Sequence, residues 1–188
     1  MKITKFILSI IICLTFTTSC AIKGNFKGLY SYYKKTESAN PNLFLKSIKI
    51  DSLCLYTYEN LKSKIVIING NDLKKCISQK ELALVYFWNP NCKSKICYPL
   101  ELVENYCSSR NIDLFIVAEY YDLDQMQVSH NIKRPIFGID TKYYKTNLTK
   151  KYLSHFLKDI DINITTDDRY FYFKNGVFSK SYKSVYDL

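Results

Sequence analysis

Two strand-length apolar runs constrain this chain more than any other feature: LALVYFW at residues 82–88 and IDLFIVAEY at residues 112–120. A strand with one wet face alternates apolar and polar residues, and these runs hardly alternate at all. Such strands need cover on both faces, which parallel sheets obtain from helices packed above and below. The neighbouring segments supply the rest of that pattern. KIVIIN (64–69) is a short β-branched run closed by Gly70, and DLKKCIS (72–78) reads as a short helix with Asp72 as its N-cap. Residues 94–110 carry Ile96, Leu100, Val103 and Tyr106 at helical spacing, with Pro99 inside, so the spacing predicts a kinked helix. DLDQMQVSHN (122–131) has helix potential, and RPIFGID (134–140) reads as a short strand behind a proline. Residues 147–160 place Leu148, Tyr152, Phe156 and Ile160 on one helical face. Residues 169–182 form two strands joined at Asn175-Gly176, a strong hairpin signal. Strands alternating with helices predict an α/β sandwich: a central mixed sheet flanked by helices, with a C-terminal β-hairpin.

Seventeen tyrosines and 11 phenylalanines in 188 residues exclude a disordered chain and leave room for one domain of moderate size. The formal charge is +10. The lysines are scattered among Tyr, Asn and Ile without a dense basic run, so the charge reads as a solvated surface and not as a nucleic-acid site.

The first twenty residues, MKITKFILSIIICLTFTTSC, set Lys2 and Lys5 before an apolar stretch from Phe6 to Phe16 that is too short to span a bilayer. This is the layout of a secretory signal. The ending Thr17-Thr18-Ser19-Cys20 resembles a bacterial lipobox. That resemblance implies cleavage before Cys20, a lipid on its thiol, and an envelope protein held on the membrane through that anchor. No acidic run follows Cys20, which favours the periplasmic side. Cleavage would remove Lys2 and Lys5 and lower the charge from +10 to +8. The expected organisation is a signal peptide (1–19), a lipidated cysteine and tether (20–45), and one domain (46–188). The alternative is an ordinary signal peptide that releases a soluble protein.

There are seven cysteines. Cys13 belongs to the signal and Cys20 to the lipid, and five remain in a compartment that permits disulfides. Cys54, Cys76 and Cys107 each read most simply as small buried hydrophobes. Cys92 and Cys97 lie close together, behind the first apolar strand, in YFWNPNCKSKICYP.

The strand LVYFW entering a cysteine-bearing loop, the following helix with Pro99, and the terminal FYFKNGVF hairpin together resemble the thioredoxin-like fold. The branch in question is the thiol–disulfide oxidoreductases tethered to bacterial envelopes, and the likeness covers about residues 62–182. It implies that Cys92 is the attacking thiol, at a helix N-terminus and helped by Lys93 and Lys95, and that Cys97 resolves the mixed disulfide. Trp88 and residues 89–91 would shape the surface that meets partner thiols and disulfides; no cofactor is implied. Two features depart from the family. The spacing is Cys-x4-Cys and not Cys-x-x-Cys, and on a regular helix residues i and i+5 stand over about 8 Å apart, beyond disulfide reach. The family's cis-proline before the hairpin is replaced by Asp167 and Asp168, which leaves Pro135 as the candidate functional proline.

A thioredoxin-like binding or scaffold lipoprotein without redox activity is a second reading. A third follows from the likeness of CKSKICYPLEL to the cysteine segment of Sco-type copper chaperones, with Cys92, Cys97 and His130 as ligands. The other histidine, His155, sits in the amphipathic helix and reads as a surface or boundary residue.

Overall fold

A computed structural model of the chain describes residues 26–46, 54, 61, 64–94, 97–164 and 167–188. Seven strands form one mixed sheet in the order β1-β2-β5-β4-β3-β6-β7. They are β1 (Phe44–Leu45), β2 (Ile65–Ile68), β3 (Leu82–Trp88), β4 (Asp113–Ala118), β5 (Ile136–Ile139), β6 (Tyr170–Lys174) and β7 (Val177–Tyr182). β1 to β5 are mutually parallel; β6 runs antiparallel to β3, and β7 antiparallel to β6. Among the described residues five α-helices with defined bounds accompany them: α1 (Tyr33–Ala39), α2 (Gly70–Ile77), α3 (Leu100–Ser108), α4 (Leu123–Met126) and α5 (Thr149–Asp159).

The pleat of β3 shows why its sequence lacks alternation. Leu84, Tyr86 and Trp88 face one layer with α1, α3 and α4, while Ala83, Val85 and Phe87 face the other with α2 and α5. All six are buried, as are Leu114 to Ala118 of β4. Both faces of the sheet are dry along β3, so an apolar residue is favoured at every position there. Tyr152, Phe156 and Ile160 bury the inner stripe of α5, as the helical spacing predicts. In the hairpin, Asn175 (φ 51°) and Gly176 (φ 77°) both take positive φ, the two-residue geometry that matches strand twist.

Three local expectations are corrected. Asn69, not Asp72, caps α2: its side chain accepts from the Asp72 backbone N–H. The helix after the cysteine loop starts at Leu100, with Pro99 at the N-cap position, so proline bounds the helix without kinking it. The stretch read as tether is folded from Phe26 onward. Tyr33, Leu43 and Phe44 enter the core, and Phe44 and Leu45 add β1 to the sheet beside β2.

Candidate functional site

Parallel sheets present their ligand-binding loops at the carboxyl ends of their strands. That edge here carries the segments after β3 (Asn89 onward), β4 (Glu119 onward) and β5 (Asp140 onward). The cysteine loop leaves β3 directly. Asn89 opens it with a turn, in which its backbone carbonyl accepts from Cys92 N–H at 3.2 Å and its side-chain oxygen accepts from Asn91 N–H at 3.0 Å. A second turn follows, where Cys97 N–H donates to the Ser94 carbonyl at 3.0 Å. These turns bring Cys92 and Cys97 to disulfide-bonding distance, with Cα atoms 6.0 Å apart. The Cys-x4-Cys spacing closes because neither cysteine is wound into a helix. For the same reason, no helix N-terminus stands at Cys92: α3 begins three residues after Cys97. Both cysteines are half-buried, and Lys93 is exposed.

Trp88 closes β3 with 7 % of its surface exposed, and the His130 ring stands edge-on to it with centroids 5.4 Å apart. His130 Nε2 is buried and has no hydrogen-bond partner among the described residues. On the far side of the loop, the Tyr98 hydroxyl is 3.0 Å from Ser184 Oγ, and its ring packs edge-on against Tyr186.

The floor beneath β3 is ionic. Phe87 N–H donates to the Arg169 carbonyl at 2.9 Å, and Arg169 pairs with Glu119 at 3.0 Å. Burial pushes the Glu119 carboxyl up, opposed by the Arg169 charge and a hydrogen bond from Asn89. Asp167, Asp168 and Arg169 thus occupy the approach to β6 where the family resemblance expects a proline.

The N-terminal segment crosses this same edge as a strap. Lys27 Nζ donates to Asn91 Oδ1 at 3.1 Å and pairs with Asp122 at 2.9 Å. Asn91 in turn donates to Asp122 at 2.6 Å. Burial alone would raise the Asp122 carboxyl, but the hydrogen bonds from Lys27 and Asn91 outweigh it and hold the group below the usual range. Further along, Tyr121 N–H donates to the Ser31 carbonyl at 2.8 Å, and Ser31 N–H donates to the Asn147 carbonyl at 2.7 Å. The strap therefore touches, in turn, the loops after β3, β4 and β5. Sequence reasoning missed its contacts; the Asn-Pro-Asn turn at 89–91 is the one local signal that marked their target.

The expected site residues are only partly brought together. Trp88 ends β3 as a buried residue, directly before the loop that carries Cys92 and Cys97. Pro135 does not join them: it precedes β5, which is separated from β3 by β4, and so stands about 10 Å to the side by strand spacing. It also sits at the amino end of its strand, away from the carboxyl edge. For the copper reading, no group of three or more His, Cys, Asp or Glu side chains placed to hold a metal ion is found among the described residues. Cys20 lies outside the described residues; among those, no helix is long and apolar enough to cross a membrane.

The remaining cysteines depart from expectation in one respect. Cys107 is a buried thiol, pushed by burial to about 12 and hence inert as a nucleophile at neutral pH. Cys54 and Cys76, by contrast, are not independent small hydrophobes but a pair at disulfide distance, with Cα atoms 5.2 Å apart. Scanned against protein-family models, curated proteins and solved structures, the chain finds no match in any of the three.

Proposed function

We propose that this chain is a thioredoxin-like thiol–disulfide exchange protein of the bacterial envelope, held on the membrane through Cys20. The observation that carries the reading is the 6.0 Å separation of Cys92 and Cys97 in a half-exposed loop at the carboxyl end of a central strand. A pair placed there reaches partner proteins without unfolding. The three-layer fold supports it, with the cysteine-bearing β3 between a parallel neighbour and an antiparallel hairpin. Residues 119–148 add β5 between β4 and β2. The Cys54–Cys76 pair supports an oxidising compartment.

The exchange balances without a cofactor. Cys92 thiolate attacks one sulfur of a partner disulfide, forming a mixed disulfide and releasing the other partner sulfur as thiolate, which takes up a proton. Cys97, as thiolate, then attacks the Cys92 sulfur. The Cys92–Cys97 bond forms, and the second partner thiolate leaves. Two electrons have passed from the dithiol to the partner; the same steps in reverse pass a disulfide to a reduced partner.

Trapping separates the two roles. Cys97→Ser incubated with a disulfide-containing peptide accumulates a covalent adduct on Cys92, whereas Cys92→Ser accumulates far less. Equal adduct on both variants overturns the assignment of roles. No adduct on either leaves the chain as a thioredoxin-like binding module and refutes exchange.

A further inference from the structure

The tip of the N-terminal strap is a turn at residues 26–30, closed by Leu29 N–H donating to the Phe26 carbonyl at 3.0 Å. It holds three large apolar side chains in solvent: Phe26 is 45 % exposed, Leu29 48 % and Tyr30 39 %. The turn is not loose, because Thr149 N–H donates to the Leu29 carbonyl at 3.1 Å and Tyr30 bridges to Leu148. The exposure is therefore built in by the fold. Beside this tip, an open groove of about 870 Å³ runs between the strap and residues 141–148, lined by Tyr30, Tyr32, Lys34, Lys35, Lys142 and Lys145 among others. Lys142 pairs with Glu37 at 3.3 Å. Lys34, Lys35 and Lys145 have no acidic partner among the described residues. Two of the five non-glycine residues with positive φ among the described residues, Tyr32 (56°) and Lys145 (52°), line this groove. Left-handed backbone at residues other than glycine is disfavoured, and it gathers where a surface is shaped for use.

We propose that this face seats the domain on an anionic phospholipid surface. Phe26, Leu29 and Tyr30 enter the interfacial layer, and Lys34, Lys35 and Lys145 lie against lipid phosphates. An exposed apolar tip flanked by uncompensated cations has the chemistry of an interfacial anchor. The length of chain favours the same occupant. Cys20 stands six residues before Phe26, a stretch that spans at most about 20 Å, so an anchor at Cys20 leaves this face at headgroup level. The domain then rests on the bilayer and does not hang on a long tether. The proposal rests on the lipid anchor proposed at Cys20 but concerns a different surface from thiol exchange, and does not depend on the exchange reaction. It has one consequence for that site: Lys27 of the same strap bonds Asn91, next to Cys92, so seating keeps the cysteine loop on the membrane side of the molecule.

The test is binding of the full chain to vesicles of phosphatidylcholine alone and of phosphatidylcholine with about one-third phosphatidylglycerol. The leader and Cys20 are common to all variants, so differences between variants report this face. The parent prefers the anionic vesicles, and the preference shrinks as salt rises. Lys34→Gln/Lys35→Gln/Lys145→Gln lowers affinity for anionic vesicles roughly a hundredfold and leaves binding to neutral vesicles unchanged. Leu29→Ser weakens binding to both by about tenfold. The charge-matched control Lys75→Gln/Lys158→Gln/Lys174→Gln, on exposed positions elsewhere, keeps the parental preference. A triple groove variant with the parental preference overturns the proposal. So does a control that loses as much, because diffuse net charge would then account for the binding. Thermal unfolding of each variant within a few degrees of the parent confirms that the fold is intact.

Discussion

Removing the Cys54–Cys76 link destabilises the domain by an amount that follows from the length of chain it closes. The two cysteines are 22 positions apart. In the chain-entropy account, a loop of that length removes about 11 cal/mol/K from the unfolded ensemble, or about 3.4 kcal/mol at 25 °C. Cys76 is fully buried against the face of the sheet covered by α2 and α5, so the link fixes the position of Cys54 against that layer. The clean perturbation starts from Cys92→Ser/Cys97→Ser, which leaves Cys54–Cys76 as the bonded pair and Cys107 as a buried thiol. Urea unfolding with and without a strong dithiol then isolates one bond. With an m-value of about 2 kcal/mol/M, the midpoint falls by about 1.7 M on reduction. The thermal midpoint falls by about 7–14 °C. Cys54→Ala in the same background reproduces the reduced curve and no longer responds to dithiol. A midpoint that ignores reductant refutes the reasoning, because a bond that constrains nothing in the unfolded chain cannot stabilise the folded one.

Asp122→Asn weakens the strap at neutral pH and lowers the thermal midpoint by a few degrees. The folded-state pKa of Asp122 lies below the unfolded value of about 3.8, so the stabilisation is present above that pH and is lost as pH falls through the folded value. Parent and variant curves, followed by thermal unfolding against pH, therefore converge in acid; a constant gap would contradict the assignment. Gly176→Ala costs about 1–3 kcal/mol in urea unfolding, since φ is +77° there and a new Cβ would stand 2.8 Å from the Ser78 Cα. His130→Phe keeps the ring against Trp88 and removes a buried nitrogen that has no partner among the described residues, so stability stays within about 1 kcal/mol of the parent or rises. His130→Ala opens a gap beside Trp88 and lowers stability; equal losses in both variants would show that Nε2 is satisfied in solution.

The sandwich was legible because its strongest signals are local. Seven apolar residues at 82–88 demand cover on both faces, Tyr152, Phe156 and Ile160 keep a helical period, and Asn175-Gly176 carries the one backbone geometry that a two-residue hairpin needs. What escaped sequence reasoning depends on partners distant in the chain. Residues 26–45 look like polar tether because their apolar residues keep no clear period among Lys, Ser and Asn, yet Tyr33 and Phe44 pack against Tyr121, a partner that no local pattern names. Cys54 and Cys76 each resemble an ordinary buried residue, and only the fold brings them within bonding distance. The apolar period runs through Pro99 and so reads as a kinked helix; the helix instead begins at Leu100, and Cys92 and Cys97 approach each other outside it. Pro135 stands nearest the hairpin in the chain among the four prolines, and the insertion of β5 beyond β4 removes it from the site.

The central claim is that Cys92 and Cys97 exchange reversibly between dithiol and disulfide in the folded protein. It is tested most directly by equilibrating the full chain in glutathione buffers of graded ratio, quenching by thiol alkylation, and mapping the peptides by mass. A single transition that converts Cys92 and Cys97 together, while Cys54–Cys76 stays bonded and Cys107 stays unmodified until unfolding, is the predicted result. Cys92 and Cys97 found alkylated at every ratio, or joined to other cysteines in preference to each other, would contradict it.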